Sequence, residues 1–398
     1  MLGMEINTRQ AKNAIIWLCS AHLACDIYTG FLNPIMPFIA AKLGFSMAIA
    51  AIVISISHIC SNMLQPVFGF IADNILHRFF IFWGLILVSI FIPLAANAPN
   101  VKLLLMCTIL GSLGSSFFHP QAMGFVNKFS DFQKSNFDNC SNNMGIFIGL
   151  GSLGFAFGPL IAAIITQTLG LHVISWTTFI GLSLASIMFI CIPKLSLIEK
   201  KPQHKEFIKT FKEVLGCNQM VLLIIIAMMK SLITNSCSIL LPFLWKGMGY
   251  TPFYIGFALF LFIFAGAIGS LLSPKIESFA GSKQIIYFSM WATFPMMLTF
   301  ALTYKTQPIL SMFIYSIIGF TTMLAQPVTM VWAQRTIPKY KSIAAGFING
   351  FCWGIVALCM SVLGIAAQKF GIMTVLVIVS FVPALCSCCV RYLKEIKN

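Results

Sequence analysis

The chain has 398 residues, of which 59% are hydrophobic and only 9% are charged. Soluble domains carry about 25% charged residues, so this composition excludes an ordinary water-soluble protein. Long apolar runs such as residues 79–96 favour helices, because a spanning helix needs about 20 apolar residues whereas barrel strands are short and alternate in polarity. The predicted fold class is an all-α polytopic membrane protein.

Twelve apolar stretches are predicted to cross the membrane. Their ranges are 13–40, 47–71, 79–97, 101–126, 142–167, 171–193, 219–245, 252–274, 284–304, 307–333, 343–367 and 372–392. When the loops between them alternate sides, 19 of the 25 Lys and Arg residues fall on the side that holds both termini. Five fall on the other side, and Lys230 lies within a span.

This charge bias predicts that both termini are cytoplasmic, because Lys and Arg accumulate in cytoplasmic loops. The net charge of +15 then reflects topology and attraction to anionic lipid, so nucleic acid is not expected as a partner. The 13 cysteines lie mostly within spans and predict no disulfide framework. A bacterial inner membrane is the expected location.

The two halves of the chain carry matching sequence in the same order. The matching segments are 37–46 with 242–251, 119–120 with 326–327, and 166–171 with 367–372. Parallel repeats of this kind are typical of transporters built from two bundles. Residues 1–193 are therefore predicted to form an N-terminal six-helix bundle and 219–398 a C-terminal one, joined by a polar cytoplasmic linker at 194–218.

Glycine and charge motifs carry a family resemblance. Residues 69–78, with Gly69, Asp73 and Arg78, resemble the loop motif of the major facilitator superfamily, which implies a latch that opens as two halves rock. In the fifth span, Gly154 and the pair at 158–159 resemble the antiporter motif of drug/proton exporters in that superfamily. The alternative for the loop motif is a helix end with a solvated charge pair. The alternative for the fifth span is ordinary tight packing of a glycine-rich helix face.

Whole segments at 21–30, 118–120 and 332–338 resemble the fosmidomycin-resistance branch of the same superfamily. The resemblance implies twelve helices in two six-helix bundles, proton-coupled transport, and gating by Gly69, Asp73, Arg78, Gly154, Gly158 and Pro159. Two positions depart from that branch. Gln121 follows the His-Pro pair where relatives often have an acid, and Lys230 stands where an Arg is expected.

Polar residues within the spans are functional candidates, because an ionised group at the bilayer centre costs about 2.5 to 3.5 kcal/mol on insertion scales. Asp26 is the one acid deep in a span, and His22 lies one turn before it. This pair is predicted to exchange protons. The predicted substrate cavity is lined by Lys230, His119, His58, Asn33 and Gln326. The alternative for the histidines and for Asp26 is that they only bridge helices by hydrogen bonds.

No ATP-binding loop, zinc-ligand spacing or nucleophile motif occurs in the sequence, so no enzyme activity, metal site or cofactor is expected. The predicted function is proton-coupled export of a drug or small metabolite across the lipid bilayer. Two alternatives remain. One is coupled uptake of a small organic anion held by Lys230, and the other is a membrane receptor that kept the fold and lost transport.

Overall fold

The structure is a computed structural model that describes residues 7–65, 67–68, 71, 75–131, 137–193, 196–198, 204–337, 344 and 346–394. In these residues, eleven helices are long and apolar enough to cross a membrane, and a shorter apolar helix covers Met47–Met63. Together they are the twelve predicted spans, named TM1 to TM12 in chain order.

The N-terminal half contributes the first six spans. TM1 is Thr8–Gly30 continued by Leu32–Leu43, TM2 is Met47–His58 continued by the π-helix Ile59–Met63, TM3 is Arg78–Ala95, TM4 is Val101–Asp131, TM5 is Phe137–Thr168, and TM6 is the 3₁₀ helix Leu171–Thr177 continued by Thr178–Cys191.

The C-terminal half repeats this plan. TM7 is Asn218–Gly247, TM8 is Pro252–Ala280, TM9 is Ser282–Thr303, TM10 is Pro308–Leu324 continued by Gln326–Thr336, TM11 is the π-helix Phe347–Phe351 continued by Cys352–Phe370, and TM12 is Ile372–Cys386 continued by the 3₁₀ helix Ser387–Tyr392.

The predicted linker contains regular structure. The short strand β1, Ile75–His77, pairs antiparallel with β2, Ser196–Ile198. A linker helix, His204–Gly216, follows. Its Phe211 ring lies 4.9 Å from the ring of Phe347 at the start of TM11, so the linker helix packs against the C-terminal half.

TM1 is broken near its middle. Its first segment ends at Gly30, and the N–H of Phe31 bonds to the carbonyl of Tyr28 over 3.0 Å. Pro34 accounts for the break, because a proline has no N–H to donate to the carbonyl four residues earlier, here that of Gly30. Phe31 keeps right-handed helical dihedrals, so the two segments continue as one span.

Among the described residues, the halves meet mainly where TM2 packs on TM11 and TM5 packs on TM8, and TM7 also contacts TM1 and TM2. Small residues allow both approaches. A Cβ on Gly256 of TM8 would lie 2.5 Å from the carbonyl oxygen of Pro159, and a Cβ on Gly364 of TM11 would overlap the side chain of Ala51. Close packing of small residues is the usual basis of helix association in membranes.

Candidate functional site

Asp26 lies between two histidines. Its Oδ2 is 3.2 Å from Nε2 of His22, one turn earlier in TM1. Its Oδ1 is 3.3 Å from Nε2 of His119 in TM4. The carboxyl group is 15% exposed, so it contacts both imidazoles and an open cavity.

The imidazole of His22 is held in place from TM5. Its Nδ1 donates a hydrogen bond of 2.8 Å to the backbone carbonyl of Phe147, and its ring stacks on the Phe147 ring at 4.0 Å. Gly151 makes room for this arrangement, because a Cβ there would overlap the imidazole. TM5 therefore orients the His22 ring so that its Nε2 points to Asp26.

The contact between His22 and Asp26 requires a proton. A carbonyl oxygen only accepts hydrogen bonds, so Nδ1 of His22 carries a hydrogen. In a neutral imidazole the other nitrogen, Nε2, then has only a lone pair, and this lone pair faces a carboxylate oxygen that is also an acceptor. The contact becomes a hydrogen bond only when one proton lies between Nε2 and Oδ2.

A cavity of about 170 Å³ opens beside Asp26. Its walls come from TM1 to TM5 and, through Trp353, from TM11. The polar lining residues are Asp26, Thr29, Ser57, His58, Ser61, Asn62, Gln65, Ser112, Ser115 and His119. Asn33, which was predicted to line the same cavity, is not among the lining residues, although its neighbour Leu32 is.

Lys230 lies in TM7, in the C-terminal half, and is 2% exposed. Its Nζ donates hydrogen bonds of 3.2 Å to Oε1 of Gln326 and to Oγ1 of Thr329, both in TM10. The side-chain amide of Gln326 in turn donates to Oδ1 of Asn349 in TM11 over 2.7 Å. Lys230 and Gln326, predicted to share a site, are therefore in direct contact.

His58 connects the two halves at the level of the cavity. Its Nδ1 donates to Oδ1 of Asn235 in TM7 over 2.9 Å. The amide nitrogen of Asn235 donates in turn to the carbonyl of Ser231, which fixes its orientation. His58 therefore both lines the cavity and bonds across the interface between halves.

The cluster of His22, Asp26 and His119 also has the composition of a metal site, since its potential ligand atoms lie within 4.8 Å of one another. The carboxylate is already at hydrogen-bond distance from both imidazoles. Hydrogen bonding therefore explains the arrangement without an ion. The absence of a cofactor stays a prediction.

Comparison with known proteins places the chain in a family. The model of the Major Facilitator Superfamily matches residues 18–360. This chain belongs to that superfamily. Two solved structures have a similar fold. A mutant of the nucleoside transporter NupG matches with a TM-score of 0.72 and 15% identity, over 96% of this chain and 100% of that one. A POT family transporter matches with a TM-score of 0.74 and 12% identity, over 95% of each chain.

Curated relatives of this Major Facilitator member match to different extents. The fosmidomycin resistance protein of Escherichia coli (strain K12) is 25% identical over 92% of this chain and 89% of its own. The probable nitrate transporter NarT of Staphylococcus epidermidis matches less, with 23% identity over 53% of each chain. The twelve-helix Major Facilitator fold of a multi-pass membrane protein and the resemblance to the fosmidomycin-resistance branch are thus confirmed.

The glycines of the antiporter-like motif pack against TM1. A Cβ on Gly154 would overlap the carbonyl oxygen of Leu23, and a Cβ on Gly158 would overlap that of Ile27. Pro159 is placed between TM1 and TM8, because its ring approaches Gly30 and its carbonyl faces Gly256. A gating role for these three residues of this Major Facilitator member stays a prediction.

The loop motif is described only in part. Gly69 and Asp73 lie outside the described residues. Arg78 donates two hydrogen bonds of 3.1 Å, to the carbonyls of Phe189 and Ile192 at the end of TM6, and its guanidinium lies 4.3 Å from the centre of the Phe189 ring. Arg78 therefore connects TM3 to TM6 within the N-terminal half.

Three site residues escaped the sequence analysis: Asn235, Asn349 and Gly151. Asn235 is 1% exposed in TM7, and an amide deep in an apolar span could have identified it. Asn349 lies in a π-helix at the start of TM11, and such segments often occur at functional sites. Gly151 had no separate signal, because TM5 contains several other glycines that look alike in the sequence.

Proposed function

We propose that this Major Facilitator member exports a small molecule in exchange for protons. The observation that carries the proposal is the cluster of His22, Asp26 and His119. The link between His22 and Asp26 is a hydrogen bond only with one proton in it, so protonation and deprotonation change the interactions on one face of the cavity. Such a change is what couples proton movement to a conformational equilibrium.

The proposed direction is export. The fosmidomycin resistance protein of Escherichia coli, a relative over 92% of this chain, is named for resistance, and removal of a toxic compound is one route to resistance. The glycine face of TM5 at Gly154 and Gly158, which packs closely on TM1, supports the same direction through its resemblance to the exporter motif. Citrate exporter 1 of Aspergillus niger matches over 52% of this chain.

Two bundles move against each other in this proposal. Residues 1–193 and 219–398 form the bundles, the termini are cytoplasmic in a bacterial inner membrane, and the loop motif with Gly69, Asp73 and Arg78 acts as a latch. The contacts that must change are those between TM2 and TM11 and between TM5 and TM8. Rocking of one bundle against the other is the usual form of alternating access.

The second candidate is coupled uptake of a small organic anion. Lys230 favours it, because a buried ammonium hydrogen-bonded to neutral groups suits a negatively charged molecule. The probable nitrate transporter NarT, which matches over 53% of each chain, is named for transport of an anion. The direction of flux distinguishes uptake from export, and any substrate-dependent flux excludes a receptor that has lost transport.

The test uses liposomes loaded with a pH dye. We expect fosmidomycin or another compound of a panel of drugs and metabolites to drive proton flux with wild-type protein, and we expect Asp26→Asn to reduce that flux to the rate of protein-free liposomes. Asn keeps the shape but cannot share the proton of His22. Glu213→Gln, the same chemical change at an exposed position of the linker helix, is the matched control. Undiminished coupled flux in Asp26→Asn would contradict the proposal.

A further inference from the structure

His22, Asp26 and His119 bring three side chains that can bind a metal to one wall of the cavity. One ligand atom from each lies within 4.8 Å of the other two. Two ligand atoms of a tetrahedral zinc ion lie about 3.4 Å apart, given metal–ligand distances of about 2.0–2.2 Å. The distances from the Asp26 carboxylate oxygens to the two Nε2 atoms, 3.2 and 3.3 Å, are close to that value. The cluster therefore has nearly the spacing of a coordination site.

The imidazole of His22 is held in the tautomer that binds a metal. Its Nδ1 donates to the carbonyl of Phe147 over 2.8 Å, which leaves the lone pair of Nε2 for a ligand bond. Histidines that bind metals almost always donate their other ring N–H to a carbonyl, a carboxylate or water, and this bond sets the orientation of the ring. TM5 thus positions the first ligand before any ion arrives.

Two hydrogen-bond acceptors face each other in the cluster. Nε2 of a neutral His22 and Oδ2 of an ionised Asp26 direct lone pairs at each other across 3.2 Å. A divalent cation between them, bound also by Nε2 of His119, would satisfy all three ligand atoms. The hydrogen-bonded cluster and a metal-bound cluster are therefore alternative states of the same side chains.

The cavity offers an entry path and an open coordination position. Asp26 and His119 both line it, and the side chain of each is 15% exposed. Among the described residues of the lining, none is Lys or Arg, so no fixed cation in this wall repels an arriving metal ion. Three protein ligands leave the fourth tetrahedral position to a water molecule, as in zinc sites that are not closed.

We propose that His22, Asp26 and His119 form a binding site for a divalent transition-metal ion of the zinc type. Two imidazoles and one carboxylate suit Zn²⁺, whereas Mg²⁺ and Ca²⁺ prefer oxygen ligands alone. The site does not depend on which molecule the chain moves or in which direction. Ligand spacing in the sequence did not predict it, because His119 comes from TM4 and the other two ligands from TM1.

The test is a calorimetric titration of the purified, tag-free protein in detergent with Zn²⁺. Exposed cysteines are first blocked with N-ethylmaleimide, because thiolates also bind zinc. We expect one ion to bind per chain. His119→Gln and Asp26→Asn should each weaken this binding by at least about tenfold, since loss of a partner outside the ligand set already costs about 10–100-fold. Mg²⁺ should produce no binding heat.

Matched variants separate the site from general effects on the protein. His172→Gln makes the same chemical change at an exposed histidine outside the cluster and should bind Zn²⁺ like the wild type. His119→Asp keeps a ligand at that position and should retain part of the affinity that His119→Gln loses. The thermal unfolding midpoint without metal shows whether each variant is folded, and His119→Gln alone decides the test if Asp26→Asn is not.

Two outcomes would overturn the proposal. One is a wild type that binds no Zn²⁺, and the other is equal affinity in His119→Gln and the wild type, which would assign the binding to other groups. Because the titration measures no flux, its failure leaves the liposome test of export untouched, and failure of the liposome test leaves the metal site standing.

Discussion

The position of His22 depends on the absence of a side chain at Gly151. A Cβ at that residue would overlap the imidazole that donates to Phe147 and meets Asp26. We therefore expect Gly151→Ala to displace the ring and to reduce proton-coupled flux strongly. Overpacking of this kind costs about 1–3 kcal/mol, so the thermal unfolding midpoint should fall as well.

Gly149→Ala is the matched control for that variant. Gly149 lies two residues earlier in TM5, and no atom lies within 4 Å of a Cβ built on it. Alanine is favoured over glycine in a helix interior by about 0.5–1 kcal/mol, so Gly149→Ala should keep its flux and its stability. Equal flux in the two alanine variants would show that His22 does not need its present position.

At the scale of helices, the bond between His58 and Asn235 connects TM2 to TM7. We expect His58→Ala and Asn235→Ala to destabilise the protein non-additively, since each variant alone already removes the shared bond. Hydrogen bonds between membrane helices contribute about 0.6 kcal/mol on average and up to about 1.7, which is the expected coupling in a double-mutant cycle of unfolding free energies.

The control cycle combines His58→Ala with Ser380→Ala. Ser380 lies in TM12 and bonds to a carbonyl of its own helix, so these two changes should add. If the His58 and Asn235 changes add equally well, the interhelical bond contributes nothing measurable.

Much of the element pattern was predictable from sequence, because each span is a long apolar run with polar ends. All twelve predicted spans are present. The internal geometry of the spans was less predictable. Pro34 interrupts the hydrogen bonding of TM1 near Phe31, and Asn33 does not line the cavity beside Asp26, although the spacing of a regular helix predicted it there. A π-helix at 59–63 in TM2 is likewise a feature that the apolar pattern does not predict.

At the scale of the whole molecule, the repeat predicted two similar halves but not the contacts between them. The charge and polarity of Asp26 and Lys230 singled them out in the sequence. The groups that hold their neighbours His22 and Gln326 could be named only from the structure, because Phe147 bonds to His22 through a backbone carbonyl and Asn349 bonds to Gln326 from a distant helix. Contacts that come from tertiary packing leave no local signal in the chain.

Two glutamines join the halves at the face opposite the chain termini, and they are related by the repeat. Gln368 of TM11 accepts a hydrogen bond of 3.1 Å from the N–H of Ala48 at the start of TM2, and Gln167 of TM5 accepts one of 2.9 Å from the N–H of Phe253 at the start of TM8. In each case the first turn of the receiving helix is also capped by its own residue, Ser46 or Thr251.

The first N–H groups of a helix have no partner within that helix, so each glutamine satisfies one and holds the opposite half. We expect Gln167→Ala and Gln368→Ala to loosen this face, with the larger effect in the double variant. Hydrogen–deuterium exchange should become faster at residues 251–255 in the first variant and at 46–50 in the second. Gln307→Ala, on the same face at the start of TM10, should change neither segment. Unchanged exchange in the double variant would mean that the glutamines do not hold the two halves together at this face.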